Sequence, residues 1–141
     1  MRQLIRRHTF DFRIDSDFRQ VIAKCKTIAR RGQEGTWITD EVKEAYTRLH
    51  EAGYAHSAEV WQDGVLVGGL YGLRMGKVFF GESMFSTVSN ASKYAFISYV
   101  QQLQTQGVEL IDCQVYTEHL ESLGARMIGR TEFVALIGSL I

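Results

Sequence analysis

Residues 8–14 (HTFDFRI) alternate polar and apolar side chains, the period-two pattern of a half-buried strand. Ser16 or Asp17 can then cap a helix in which Phe18, Val21, Ile22, Cys25 and Ile28 recur at helical spacing as far as Gly32. Beyond the loop RGQEG, Thr39 or Asp40 can cap a second helix with Val42, Ala45, Tyr46 and Leu49 as its apolar face and Gly53 as its stop. Three strands are expected at 55–62, 65–73 and 77–84. Asp63-Gly64 separates the first two and is a strong hairpin signal, and Arg74-Met75-Gly76 separates the next two. A third helix over 90–106, ended by Gly107, leads to a strand at 110–115 (LIDCQV), a short helix at 119–123 and a last strand near 131–136.

This order of elements predicts a mixed α/β (α+β) fold, a mostly antiparallel sheet flanked by helices like that of the GNAT acyltransferases. The whole of 1–141 is read as one such domain, with 1–14 its basic arm and first strand. In an open sheet of this kind the site lies at the strand ends. An acetyl-CoA enzyme needs a glycine-bearing turn before the third helix, where backbone N–H groups cradle a pyrophosphate. Residues 85–93 (FSTVSNASK) hold no glycine, so acetyl-CoA is not expected as donor. The hydroxyls of Ser86, Ser89 and Ser92 suit a phosphate or ribose there, and suit helix capping equally well.

At 141 residues and 45% hydrophobic content the chain can bury a real core. No apolar run reaches the ~18 residues of a membrane span and no signal-peptide pattern opens the sequence, so a cytoplasmic protein is expected. Cys25 and Cys113 have no metal-like or redox spacing and read as reduced, buried thiols. His50, His56 and His119 match no ligand spacing and read as structural, so neither metal nor cofactor is expected. The zero net charge is unevenly spread. Residues 1–31 hold nine Lys/Arg against three Asp, and the rest hold seven basic against thirteen acidic side chains. A basic arm suits a polyanion and an acidic body suits a cation, although a solvated basic face gives the same pattern.

Longer blocks are more specific. Gly35-Thr36-Trp37-Ile38-Thr39, Ala45-Tyr46 through Leu49-His50 to Ala55-His56-Ser57, Leu66 to Gly72 (LVGGLYG), Gly81 to Ser86 (GESMFS), Ala91-Ser92-Lys93, Leu110 to Gln114 (LIDCQ) and His119 to Ala125 (HLESLGA) occur in that order. They resemble the bacterial leucyl/phenylalanyl-tRNA-protein transferase family over about residues 10–133. The resemblance implies transfer of Leu or Phe from aminoacyl-tRNA to a protein whose N-terminus is Arg or Lys, marking it for degradation by the N-degron route. It also implies that the chain corresponds to the family's second domain, without the N-terminal domain, its Trp-rich segment or the C-terminal tail. Three expectations follow: a minimal transferase, an enzyme that passes the residue to a small-molecule amine, or a non-catalytic binding module. Asp112, Gln114 and Glu82 favour the first two.

In the strand 110–115, Asp112 and Gln114 point to one face and Cys113 to the other. Aminoacyl transfer needs an amine to be deprotonated or oriented and an oxyanion stabilised. Asp112 and Gln114 fit those roles and match the family's catalytic pair, although two polar residues satisfying buried backbone give the same pattern. Glu82, alone in the apolar VFFGESMFS, invites a cation, which the resemblance suggests is the incoming N-terminal residue; pairing with a neighbouring Lys or Arg is the plainer alternative. Met84 is expected on the same face. Met84, Leu70, Tyr99 and Ile111 are expected to line a pocket for the Leu or Phe side chain, and are ordinary core residues otherwise. Trp37 suits stacking on the terminal adenosine of tRNA and is equally ordinary as core. Ser86 is a further substrate-binding candidate, and Arg2, Arg6, Arg7 and Arg13 are candidate tRNA phosphate contacts.

Overall fold

The structure, a computed structural model, describes residues 10–32 and 39–112. Its elements are β1 (Asp11–Ile14), α1 (Phe18–Gly32), α2 (Asp40–Glu51), β2 (Ala55–Gln62), β3 (Val65–Met75), β4 (Val78–Ser86), α3 (Ala91–Thr105) and β5 (Leu110–Asp112). The expected short helix at 119–123, the strand near 131–136 and the second half of the 110–115 strand lie outside the described residues. The five strands form one sheet in the order β1-β2-β3-β4-β5, antiparallel except for the parallel pair β4 and β5. Mixed pairing of this kind needs a crossover between β4 and β5, which α3 supplies.

Local chemistry accounts for the boundaries. The Asp17 side chain accepts the Gln20 N–H at 3.1 Å and caps α1, while Thr39 accepts the Val42 N–H at 3.2 Å and caps α2. Asp63 and Gly64, at φ 52° and 79°, make the tight turn that their dipeptide predicts. The next turn is shorter than expected. Arg74 and Met75 stay in β3 and pair with Phe79 and Val78, so Gly76 and Lys77 alone reverse the chain.

Each face of the sheet carries a core. On one side α3 covers Ala58, Val60, Val67, Leu70 and Phe79 with Ala91, Tyr94, Ala95, Tyr99 and Leu103. On the other, Phe18, Val21, Ile22 and Cys25 of α1 cover Ala55, Leu66, Tyr71 and Phe85, as the helical spacing predicts. The expected apolar face of α2 is corrected. Ala45 and Leu49 are exposed and Thr47 is buried, its hydroxyl donating to the Lys43 carbonyl at 2.7 Å. Polar and aromatic contacts orient this helix: His50 stacks on Phe18 and donates from Nδ1 to the Ala55 carbonyl at 2.9 Å.

Beneath the start of α1 lies a fully buried carboxylate, Glu59. It accepts the backbone N–H groups of Ser16 and Asp17, the Ser57 hydroxyl and the Trp61 indole N–H, which together satisfy a charge that burial alone would make costly. Its position at a helix N-terminus adds favourable dipole interaction.

Candidate functional site

Between β3 and β4 the register slips by one residue: Ser83 faces Tyr71, yet Gly81 faces Gly72. Glu82 is therefore the extra residue of a β-bulge, a device that re-aims side chains. Met84 faces Leu70 and belongs to the α3-side cluster, whereas Glu82 meets Tyr46 and Tyr71 on the α1/α2 side. The expectation that Glu82 and Met84 share a face is thus corrected, because the bulge cancels the alternation on which it rested.

Asp112 ends β5 opposite Phe80. Its neighbour Ile111 packs on the α3 side, so Asp112 projects to the α1/α2 side, where its charge reaches Glu82. The Glu82 carboxyl lies above its ordinary pKa, mainly through burial and further through the charge of Asp112, against a hydrogen bond from Tyr46. The same bond helps push the Tyr46 hydroxyl up to about 12, after burial and the Glu82 charge. Tyr71 is raised as well, by burial first and then by Cys25, Tyr46 and Glu82. Burial pushes the Cys25 thiol up to about 12, with a hydrogen bond from Ser83 opposing, which makes it an unreactive thiol. No Lys or Arg pairs with Glu82 among the described residues, so the plainer reading of that carboxylate finds no support there.

A half-buried carboxylate that bonds a tyrosine and feels a second carboxylate nearby favours a cation, since a positive charge relieves the repulsion and takes charge-assisted hydrogen bonds. On the opposite side of β4, the structure brings Leu70, Met84, Tyr99 and Ile111 into one apolar cluster, with Leu70 and Tyr99 buried and Met84 and Ile111 part-buried. The Tyr99 ring meets Phe79 edge-on at 5.1 Å, and its hydroxyl is raised by burial and by Asp15, with Arg74 opposing.

Ser86 is engaged at the start of α3: its hydroxyl donates to the Val88 carbonyl at 2.7 Å and accepts the Ser92 N–H at 3.3 Å. Arg13 pairs with Asp11 at 2.7 Å and lies over the Trp61 ring at 5.2 Å. Gln114, Trp37, Arg2, Arg6 and Arg7, with Cys113 and His119, lie outside the described residues. Among the described residues no group of three or more His, Cys, Asp or Glu is placed to hold a metal ion, and no helix is long and apolar enough to cross a membrane. His56 instead meets Asp15 through Nδ1 at 2.9 Å. That contact, the Ser57 N–H and His50 together hold the Asp15 carboxyl below its usual range although burial works the other way.

Sequence reasoning missed Tyr46 and Tyr71 as members of the site and Glu59 as a buried anchor. For Glu59 a signal existed, in the polar residues Ser57 and Glu59 at alternate positions of β2. For the tyrosines none did, because a tyrosine within an apolar pattern reads as core.

Comparison with known proteins adds identity to this geometry. The family model described as leucyl/phenylalanyl-tRNA protein transferase matches residues 1–138. A protein of that name from Flavobacterium johnsoniae is 53% identical over 139 residues, covering 99% of this chain and 66% of its own length. Another from Syntrophus aciditrophicus is 58% identical over 137 residues, covering 97% and 57%. The chain therefore spans roughly three-fifths of the length of these relatives. Among solved structures, a possible acetyltransferase from Clostridium difficile 630 superposes with a TM-score of 0.67 at 13% identity, over 86% of this chain and 93% of that one. An aminoglycoside acetyltransferase from a soil metagenomic sample gives 0.62 at 11%, over 87% and 95%. At such identities the likeness concerns the fold, that of the acetyltransferases expected from the element order.

Proposed function

We propose that this chain, which belongs to the leucyl/phenylalanyl-tRNA protein transferase family, moves Leu or Phe from aminoacyl-tRNA to the α-amino group of an N-terminal Arg or Lys. The observation that carries the reading is that Glu82 and Asp112 come within electrostatic reach on one side of β4, with the apolar cluster on the other. The ester carbonyl then lies at the β4–β5 edge, its side chain against Leu70, Met84, Tyr99 and Ile111, with the acceptor's cationic head on Glu82. Met84 suits both Leu and Phe because its unbranched thioether adapts to either shape.

Because the donor is an activated ester, the enzyme needs no covalent intermediate. Asp112 takes or orients the proton of the attacking amine, Gln114 orients Asp112 or donates to the oxyanion, and the C–N bond forms as the ester C–O bond breaks. The proton released by the amine ends on the ribose hydroxyl of the departing tRNA. Trp37 stacks on the terminal adenosine, Ser86 contacts the tRNA end, and Arg2, Arg6, Arg7 and Arg13 meet phosphates.

The test is transfer of labelled Phe or Leu from charged tRNA to a peptide beginning with Arg, with Asp112→Ala alongside. Wild-type transfer, reduced by about 10²–10⁴ in the variant as for loss of a general base, is the expected result. Folded protein that transfers nothing, or a variant as active as the wild type, would overturn this reading.

A further inference from the structure

Tyr71 stands at the back of the site and takes no part in the reaction so far described. Its side chain is fully buried, and its hydroxyl has no hydrogen-bond partner among the described residues. An unpartnered buried hydroxyl is destabilising, so its presence here calls for a reason. The ring is packed edge-on against Phe18 and Tyr46, with centroids 5.8 and 5.4 Å away, which fixes the direction in which the hydroxyl points. The Cys25 thiol, the Tyr46 hydroxyl and the Glu82 carboxyl all lie within electrostatic reach of that hydroxyl. Cys25 is engaged with Ser83, and the Tyr46 hydroxyl is engaged with Glu82. Of the three, the carboxylate is the strongest acceptor and has several lone pairs, so it takes a second donor most favourably. The bulge brings it there, since Ser83 faces Tyr71 directly and Glu82 adjoins Ser83 on the same side.

We propose that Tyr71 is a positioning residue for Glu82: when a cationic acceptor group binds, the carboxylate moves inward and accepts the Tyr71 hydroxyl as a second donor beside Tyr46. Hydrogen bonds of this kind are commonly long in the free protein and tighten only when substrate is bound. Two phenols held neutral and one carboxylate then form a cradle for a guanidinium or ammonium head, in which the carboxylate supplies the charge and the phenols fix its orientation. The inference rests on the reading of Glu82 as the acceptor's cation site.

The experiment measures binding of L-arginine amide, a small molecule with both a guanidinium and an α-amine, by NMR titration of the wild type and Tyr71→Phe. Thermal unfolding of both proteins accompanies it. Because the hydroxyl has no partner among the described residues, Tyr71→Phe should melt no lower than the wild type. Because the hydroxyl supports the charged carboxylate in the complex, the variant should bind about tenfold more weakly or worse. The pH midpoint at which acidification abolishes binding should also move upward in the variant, through Glu82, with Asp112, Tyr46 and Cys25 the other titrating groups that face it. Equal affinity in the two proteins, a clear loss of melting temperature in Tyr71→Phe, or no binding by the wild type would each overturn the proposal. Failure of the transferase reading is distinct: no Phe or Leu transfer from tRNA, while L-arginine amide still binds and its binding still depends on Tyr71.

Discussion

Glu82 combines two circumstances that a carboxylate in water does not meet: partial burial and a second carboxylate within electrostatic reach. Its folded pKa is raised, so the protonated form is the one that folding favours. The stability tied to this group is therefore fully present below the ordinary glutamate pKa of about 4.3 and lost as pH rises through the raised value. Glu82→Gln, neutral at every pH, should melt higher than the wild type at pH ~7, and the difference should vanish in acid. The same change should remove binding of L-arginine amide. Thermal scans across that range check the first expectation, and a variant less stable at neutral pH would contradict it. At this scale the sequence was partly informative. A lone glutamate in VFFGESMFS and an aspartate in LIDCQV stand out because their neighbours are apolar. Tyr46, Tyr71 and the buried Glu59 do not stand out, because what gives them meaning is their partners on distant segments.

The elements themselves were more legible than the site, since their determinants are local. Asp17 and Thr39 cap the helices they precede, and Asp63-Gly64 turns where the dipeptide requires. The bulge was not legible, because it is a property of two strands paired, and nothing in VFFGESMFS alone marks which residue is extra. Gly72 shows what the slip requires. A Cβ there would stand 2.1 Å from the carbonyl oxygen of Phe80 and 2.7 Å from Cζ of Phe79. Since the first of these atoms is backbone, β4 would have to move. Gly72→Ala should therefore cost about 1–3 kcal/mol or more, as overpacking does, and should weaken cation binding because Glu82 moves with the bulge. Urea unfolding and the same titration check both parts. A variant as stable as the wild type would show that the close approach is not needed.

For the whole molecule, the mixed, mostly antiparallel sheet flanked by helices follows from the sequence pattern, whereas the strand order and the face assignments of Met84 and of α2 required the sheet to be assembled. The relatives named leucyl/phenylalanyl-tRNA--protein transferase are longer, and this chain carries 57–66% of their length in the examples above. Within it the strands are unequal in how far apart their partners lie along the chain. The β2-β3 and β3-β4 pairs are joined by two-residue turns, while β1 pairs with a strand more than forty residues away, Asp11 opposite Trp61, and β5 joins across the length of α3. Closing a long loop costs entropy before any contact repays it, so the β2-β3-β4 meander should form the folding nucleus, with the outer strands added afterwards. Substitutions in the two hairpins should slow folding, and those in β1 and β5 should chiefly speed unfolding, as stopped-flow kinetics would register. Equal effects in both regions would refute that order. Since Asp112 rides on β5, a chain with only the meander assembled would hold Glu82 without its neighbouring carboxylate: the electrostatic contact between the two would arrive only when β5 docks.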